Sequence, residues 1–263
     1  MHIALIAEVY PPMRSSGAGQ MRDLAREFVK QGHEVAFLVP APMQEEPWTI
    51  DDDDGVAVLR LSAFKTRDMS YVRRTMGEFL TPYAMLRNFR KSPVSETSFD
   101  GVAWYSPNIF LGPLVKALKK KSRCRGYLIL RDIFPQWAAD IGIIGRGLPY
   151  KFLDGVANYQ YSVADVIGVQ TPGNLSYFTD WIEHKGKKVE VLQNWLGTHE
   201  KIDCSIDISA TTLAGRKIFV YAGNMGVAQG MDKMLHCAMA LKDDERIGFV
   251  FVGRGSDADA LHE

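Results

Sequence analysis

Residues 221–235 read YAGNMGVAQGMDKML, a short apolar run, a turn with three glycines and the start of a helix-like stretch. Residues 3–28, IALIAEVYPPMRSSGAGQMRDLAREF, follow the same order near the start of the chain. A buried strand that turns through glycines into an amphipathic helix is the building unit of α/β proteins. The sequence therefore predicts that this unit occurs twice, about two hundred residues apart.

Apolar runs alternate with stretches of helical periodicity along most of the chain. Compact runs such as residues 2–7 are typical of parallel strands that are buried on both faces. The predicted strands are residues 2–7, 34–40, 56–61, 101–106, 126–132, 165–172, 188–194, 217–223 and 246–255. The predicted helices are residues 19–32, 112–123, 152–164, 173–182 and 231–239. This alternation predicts an α/β fold with a doubly wound parallel sheet.

The predicted domain boundary follows a loss of periodicity. Residues 197–216 are polar and show neither a helical nor a strand pattern, so they are interpreted as a linker. The first domain is predicted to span residues 1–196 and the second to begin at residue 217 and run to residue 263. Two strands and one helix cannot cover both faces of a parallel sheet, so an incomplete second domain is expected.

Composition excludes several classes of protein. Lysine plus arginine equals aspartate plus glutamate at 31 each, and the three cysteines are widely spaced. The balanced charge indicates no particular partner, whereas the odd number and wide spacing of the cysteines favour a reducing cytoplasm over a disulfide-bonded, secreted protein. No metal-ligand spacing and no apolar run of membrane-spanning length occurs, so no metal site is expected. The acidic residues 43–54 are predicted to form a solvated loop.

The glycine turns suggest phosphate binding. Glycine lets the backbone approach a ligand where a helix N-terminus presents free N–H groups. A dinucleotide fingerprint fits poorly, because Arg22 stands where a third glycine is required, and the phosphate-loop motif of nucleotide triphosphatases is absent. For Gly17 and Gly19, ligand binding and simple turn geometry both remain open. For residues 223–230 with the later VGRG, ligand binding is favoured.

In this order and spacing the motifs resemble the retaining, sucrose-synthase-like group of GT-B glycosyltransferases. The resemblance rests on YPP, SGAGQMRDLAREFVKQGHEV, RDIFPQW, VQTPGN, YAGNMGVAQG and FVGRG. It is closest to bacterial enzymes that transfer N-acetylated amino sugars such as fucosamine during surface polysaccharide assembly. GT-B enzymes contain two Rossmann-like domains, which would explain the repeated glycine turn. The resemblance implies a nucleotide-sugar donor, UDP-linked, a lipid-linked glycan acceptor and no bound metal or other cofactor.

The resemblance also implies roles for individual residues. In the first domain, a loop around Gly17 and Gly19, with Arg14, would contact donor phosphates or acceptor. In the second domain the implied donor-binding residues are Gly223, Asn224, Met225, Gly226, Gln229, Gly230, Gly253, Arg254 and Gly255. Arg131 and Asp132 would be the catalytic positions.

Several positions depart from the wider family. Asn224 and Gln229 stand near places where many relatives carry arginine and lysine, and Arg131 replaces a common histidine. Arg254 or Arg14 could supply the missing positive charge. Asp132 is interpreted either as a functional carboxylate or as the N-cap of the following turn. The family's acidic donor-sugar motif would lie after residue 263, so most of the selectivity for the transferred sugar is expected there.

Residues 60–91 combine basic and aromatic side chains. Arg73, Arg74, Arg87 and Arg90 belong to this stretch, and residues 116–125 add six more basic side chains. One interpretation is a solvated helical face; the other is a surface that contacts the anionic inner face of the plasma membrane. Nucleic acid fits poorly, because the net charge is zero and no nucleic-acid motif occurs.

Three functional hypotheses follow. The first is a glycosyltransferase that acts on a membrane-bound glycan precursor in the cytoplasm. The second is a non-catalytic fragment that binds acceptor or membrane. The third is a GT-B nucleotide-sugar epimerase, which would need paired acid and base carboxylates.

Overall fold

The computed structural model shows two compact units, Met1–Thr198 and His199–Glu263. The described residues are 1–42, 44–66, 70–197, 206–226 and 229–259. Part of the predicted linker, residues 198–205, therefore lies outside the described residues. The predicted domain boundaries and the assignment of acceptor and donor sides stay predictions.

The first unit alternates strands and helices as predicted. Its strands are β1 His2–Ile6, β2 Glu34–Pro42, β3 Trp48–Asp53, β4 Val56–Ala63, β5 Gly101–Ser106, β6 Arg125–Leu130, β7 Val166–Val169 and β8 Lys188–Val191. Its α-helices are α1 Ser16–Lys30, α2 Tyr71–Phe89, α3 Gly112–Ser122, α4 Gln136–Asp140, α5 Leu148–Val163 and α6 Thr179–Glu183. Two 3₁₀-helices, Pro93–Glu96 and Pro172–Phe178, complete the unit.

The strands of the first unit form one sheet in the order β3-β4-β2-β1-β5-β6-β7-β8. Every pairing is parallel except that of β3 with β4. Side chains of β1 alternate between the two faces, so Ala4 and Ile6 join one apolar core while Leu5 and Ala7 join the other. Because these strands are parallel, the carboxyl ends of β1, β5 and β6 lie at the same edge of the sheet.

Helix α1 begins earlier than predicted. The Ser15 side chain accepts a hydrogen bond from the Ala18 amide over 3.2 Å, and this cap starts the helix before the two glycines. Gly17 and Gly19 therefore lie in the first turn of α1, and the predicted loop there is wrong. Gly32, with φ of +83°, follows the end of the helix at Lys30.

The acidic run does not form the predicted loop. Asp51 and Asp53 belong to β3, the edge strand that pairs antiparallel with β4. Arg60 of β4 contacts Asp51 over 2.6 Å, and Arg26 of α1 bridges Asp53 and Asp54. Arg60 lies on the neighbouring strand and Arg26 on α1, and these two cations offset part of the acidic charge of the strand.

The predicted helix at residues 173–182 is a 3₁₀-helix followed by the single turn of α6. The Thr171 side chain and the Asn174 side chain cap each other's backbone at its start. Ser176 and Thr179 then donate their hydroxyls to carbonyl oxygens three residues earlier. These side-chain bonds compete with the α-helical pattern.

The second unit repeats the strand–helix–strand order. It contains a 3₁₀-helix Ile208–Ala210, β9 Lys217–Asn224, α7 Met231–Ala240 and β10 Ile247–Arg254. The two strands are parallel, with Gly223 beside Gly253. Phe219 and Val220 of β9 are more than half exposed. Within the described parts of both units, no helix is long and apolar enough to cross a membrane.

Candidate functional site

A polar pocket of about 210 Å³ lies at the carboxyl edge of the first unit's sheet. Glu8 follows β1, Asn108 follows β5 and Asp132 follows β6, and all three line the pocket. Arg74 and Glu78 of α2 form another part of its wall. Ligands of open α/β sheets bind at this edge, beyond the carboxyl ends of the strands. The fold therefore places three polar side chains where a ligand is expected.

Hydrogen bonds hold most of the pocket's polar groups in place. The Asn108 amide donates to the Glu8 carboxylate, and Gln160 of α5 donates to the Asn108 carbonyl oxygen over 2.9 Å. Arg74 donates to Glu78 one helical turn away, over 2.7 Å. Glu8 and Asn108 were missed from sequence. Each is an early polar residue after a buried strand, which is the signal that could have identified them.

Asp132 differs from these neighbours. Its side chain reaches solvent at the mouth of the pocket and makes no side-chain hydrogen bond to any described residue. Burial among the surrounding protein atoms nevertheless raises the pKa of its carboxyl group. It is not an N-cap, because α4 begins at Gln136 and is preceded by Pro135. Asp132 is thus available to a ligand, and the N-cap interpretation is wrong.

Arg131 does not line the pocket that contains Asp132. Its guanidinium lies 4.7 Å from the centre of the Trp195 ring, and Nη1 donates to the Leu192 carbonyl oxygen over 2.9 Å. Burial lowers the pKa of Arg131. Its Nε and Nη2 atoms are buried without an acceptor among the described residues. Of the two predicted catalytic positions, only Asp132 lines this pocket.

The two glycines of α1 have different surroundings. Gly17 is buried, and a Cβ atom there would lie 3.1 Å from the Tyr105 ring, so close packing leaves little room for a side chain. A methyl group at Gly19 would meet no heavy atom within 4 Å. Arg14 is exposed in the segment before the helix. The free space at Gly19 is compatible with a ligand near the N-terminus of α1, while Gly17 serves packing.

The predicted donor-binding residues of the second unit lie together at the carboxyl ends of β9 and β10. Asn224 donates its side-chain amide to the Gln229 side-chain oxygen over 2.9 Å, beside Gly226. Gly230 precedes α7 with φ of +61°. The remaining members are Gly223, Met225, Gly253, Arg254 and Gly255. Residues 227 and 228 of this turn lie outside the described residues.

Two of these glycines are required by the packing of the strand ends. A Cβ atom at Gly253 would lie 1.9 Å from the Gly223 carbonyl oxygen, and one at Gly255 would lie 2.0 Å from that of Met225. No side chain fits at either position. In contrast, the nearest described atoms to a Cβ at Gly226 are the side-chain ends of Asn224, Gln229 and Ser256, at 3.1, 3.3 and 3.6 Å. Gly226 therefore borders a small polar surface.

The four predicted membrane-contact arginines are exposed. Arg73, Arg74 and Arg87 belong to α2, and Arg90 follows its last residue. Arg74 also lines the polar pocket, where it contacts Glu78. Helix α3 packs beside α2 and ends in exposed basic residues. The exposure agrees with both interpretations of this stretch, a solvated face and a membrane contact.

Comparison with known proteins identifies relatives of the chain. No protein-family model matches it. A colanic acid biosynthesis glycosyl transferase, WcaI of Escherichia coli (strain K12), is 22% identical over the whole chain and 68% of its own length. A glycosyltransferase of Pseudomonas aeruginosa, WbjE, is 26% identical over 51% of the chain and 34% of its own length.

Solved structures show the same fold. The catalytic domain of starch synthase IV from Arabidopsis thaliana, solved with ADP and acarbose, matches 99% of this chain and 70% of its own, with a TM-score of 0.67 and 12% identity. At that identity the likeness establishes fold alone. The chain thus has an α/β fold of GT-B type with a mostly parallel central sheet, and its relatives and structural neighbours are glycosyltransferases.

Proposed function

We propose that the protein transfers a sugar from a UDP-linked donor to a lipid-linked glycan acceptor during bacterial surface polysaccharide synthesis. The observation that carries the proposal is the polar pocket of Glu8, Asn108 and Asp132 at the ligand-binding edge of a GT-B fold. The names of two sequence relatives, a colanic acid biosynthesis glycosyl transferase and another glycosyltransferase, support it. An N-acetylated amino sugar such as fucosamine is the proposed transferred group.

In this proposal the polar pocket holds the acceptor. Asp132 accepts the hydrogen bond of the attacking hydroxyl and takes its proton as the new glycosidic bond forms. Its raised pKa suits that role, because a carboxylate that binds protons more readily is a better base. The hydrogen bond from Asn108 holds the Glu8 carboxylate in place after the end of β1.

The carboxyl ends of β9 and β10 hold the donor. The Gly226 turn lets the backbone approach the diphosphate, and the exposed Arg254 adds positive charge as the leaving UDP forms. Asn224 and Gln229 supply amide donors at the places where many relatives carry cations. The transfer is proposed to need no metal and to retain configuration at the sugar, so the acceptor hydroxyl must attack from the same face that UDP leaves.

The basic side of α2 and α3 is proposed to contact the anionic inner face of the plasma membrane. Arg73, Arg87 and Arg90 are exposed, as are Lys120 and Lys121 at the end of α3. Each basic residue near such a surface contributes about 1 kcal/mol to binding. This contact would hold the protein where a lipid-linked acceptor is available.

The proposal is tested with the protein expressed from its complete reading frame. Incubation with UDP-sugars and a prenyl-diphosphate-linked saccharide should give a longer glycan and free UDP. The Gly226→Ala variant should bind UDP about tenfold more weakly, because the added methyl group crowds the hydrogen-bonded side chains of Asn224 and Gln229 and the close approach of the diphosphate. Gly101→Ala is the matched control, since a methyl group there meets no atom within 4 Å.

Product analysis separates transfer from epimerisation. An epimerase hypothesis gains one observation from the structure, because the carboxylates of Glu8 and Asp132 line the same pocket. Conversion of a UDP-sugar into its epimer without acceptor would establish that activity instead. If neither UDP nor a UDP-sugar binds, and Gly226→Ala behaves like the wild-type protein in the same binding measurements, both enzyme hypotheses are contradicted. A non-catalytic protein is then favoured.

A further inference from the structure

An apolar groove of about 410 Å³ runs along the surface between α2, the start of α3 and α5. Its walls are aromatic and apolar except for one lysine. They consist of Phe79, Tyr83, Phe110, Pro113, Lys151, Phe152, Gly155, Val156 and Tyr159. This volume lies within the usual range of small-molecule sites.

The aromatic rings of the groove are packed against each other yet open to solvent. Phe79 contacts Tyr83, Phe110 and Phe152, with ring centres 6.0 to 6.2 Å apart. Tyr83 is nevertheless 49% exposed and Phe152 is 51% exposed. A contiguous apolar surface that is open to solvent is characteristic of protein, membrane and ligand interaction sites.

The charges around the groove are positive. Among the described residues that form its walls, Lys151 is the charged one, and the Lys116 ammonium lies 5.7 Å from the centre of the Tyr159 ring. Arg87, one turn after Tyr83 on α2, is exposed. Glu78, the neighbour of Phe79, is engaged by Arg74. An apolar groove with a cationic margin complements a molecule that joins a hydrocarbon chain to an anionic group.

The groove adjoins the polar pocket that contains Asp132. Phe110 lines both, and on α2 Glu78 faces the pocket while the next residue, Phe79, faces the groove. A polar cavity and an apolar groove therefore share a wall. That arrangement fits an amphiphile whose sugar occupies the pocket and whose hydrocarbon chain leaves through the groove.

We propose that the groove binds the prenyl chain of the acceptor lipid next to its diphosphate. The proposal rests on the proposed function and adds a site for the part of the acceptor that does not react. Lys151, the charged residue of the groove walls, is the proposed contact of the diphosphate, while the rings of Phe79, Tyr83 and Phe152 contact the chain. The groove thus selects acceptors by their lipid as well as by their sugar.

The test measures binding of farnesyl diphosphate, at concentrations where it is monomeric, by isothermal titration calorimetry. Isopentenyl diphosphate, with the same charged group and one isoprene unit, is the comparison. Farnesyl diphosphate should bind at least about tenfold more tightly, because burial of its additional carbons is favourable. Equal affinity for the two compounds would overturn the proposal.

Variants locate the binding site. Gly155→Leu should weaken farnesyl diphosphate binding about tenfold by filling the groove. Its fold should be intact, because a Cβ atom at Gly155 meets nothing within 4 Å and leucine favours helix. Phe152→Ser should weaken binding similarly by removing apolar contact. Leu148→Ser is the matched control, since Leu148 belongs to the same helix, is 82% exposed and does not line the groove.

Two further outcomes are decisive. Normal farnesyl diphosphate binding by folded Gly155→Leu and Phe152→Ser would overturn the proposal. So would conversion of a dimer to a monomer by Phe152→Ser in sedimentation, because a second copy would then cover the groove. A UDP titration on the wild-type protein keeps the two proposals apart. UDP binding without farnesyl diphosphate binding contradicts the groove alone, and the reverse result contradicts the donor site.

Discussion

At the scale of single residues, the polar pocket depends on contrasts between neighbours. Asp132 and Arg131 are adjacent in sequence, yet one lines the pocket and the other stacks on Trp195. Glu8 is held by Asn108, whereas Asp132 makes no side-chain hydrogen bond to the described residues. A carboxylate that is partly desolvated and unpaired is unfavourable for stability, which suggests that it is kept for function.

Replacement of Asp132 tests this interpretation. Asp132→Asn should lower the rate of transfer about a hundredfold or more, because asparagine cannot accept the proton. The acidic limb of the wild-type pH–rate profile should lie above the ordinary aspartate pKa of about 4. Asp140→Asn, an exposed position beyond the pocket, should be fully active.

Stability should change in the opposite direction from activity. Because the folded state raises the pKa of Asp132, ionisation of the group disfavours folding above that pKa and has no effect below the unfolded value. Asp132→Asn should therefore have an equal or higher melting temperature at pH 7, and the gain should vanish at low pH. A melting temperature lowered at pH 7 would assign Asp132 a structural role.

At the scale of secondary structure, hydrophobic pattern predicted the parallel strands but not the acidic edge strand. Runs such as residues 101–106 carry the signal of burial in their own composition, so β5 was predicted with its observed bounds. The acidic strand β3 is stabilised by Arg26 and Arg60, whose positions depend on the tertiary fold. The first turn of α1 was missed because two glycines suggest a loop, although Ser15 caps the helix.

The site, like the secondary structure, could be predicted only where its residues have a local sequence pattern. Glycines at the ends of β9 and β10 have a recognisable spacing, so their grouping could be expected from sequence. The pocket of Glu8, Asn108 and Asp132 joins three strand ends that follow one another after 100 and then 24 residues, with no local spacing to mark it. The pocket follows from the strand order, which places the ends of β1, β5 and β6 side by side.

Edge strand β3 provides a test of the tertiary ion pairs. Burial of Asp53 opposes its ionisation, but hydrogen bonds from Arg26 and Tyr10 outweigh this effect and lower its pKa. Asp53→Asn should reduce the free energy of unfolding at pH 7 by about 1 kcal/mol, a value that allows for the partial exposure of Arg26.

The pH dependence of this loss has a definite sign. A lowered carboxyl pKa stabilises the fold above the unfolded value, and the contribution disappears as pH falls through the folded value. The difference between wild type and Asp53→Asn in urea unfolding should therefore narrow below about pH 4. Glu45→Gln removes an exposed charge from the same segment and should leave stability unchanged at every pH. If the free energy of unfolding of Asp53→Asn differs from that of wild type by the same amount at every pH, the ion-pair explanation is contradicted.

At the scale of the whole molecule, equal numbers of positive and negative side chains conceal an uneven distribution. Acidic residues concentrate in β3, while α2 and the end of α3 present exposed cations. If the basic surface contacts a membrane, its position matters more than the total charge.

Vesicle sedimentation tests that contact. The protein should bind vesicles with anionic lipid and not neutral vesicles, and binding should weaken with salt as the Debye length falls from about 10 Å at 0.1 M to about 3 Å at 1 M. Replacement of Arg73, Arg74, Arg87 and Arg90 by glutamine should reduce binding. The matched control replaces four exposed cations elsewhere by glutamine, namely Lys30, Lys217, Lys233 and Lys242. If both variants lose the same amount of vesicle binding, the binding depends on net charge alone. That result would contradict a localised membrane-contact surface.

The order of the strands along the chain has a consequence for synthesis on the ribosome. Every strand of the eight-stranded sheet lies in Met1–Thr198, although the sheet's spatial order departs from chain order. At about 5 to 20 residues per second, translation of the 65 residues of His199–Glu263 takes about 3 to 13 s. The polypeptide for the complete first sheet, with its polar pocket and apolar groove, therefore exists for seconds before the second unit is fully synthesised.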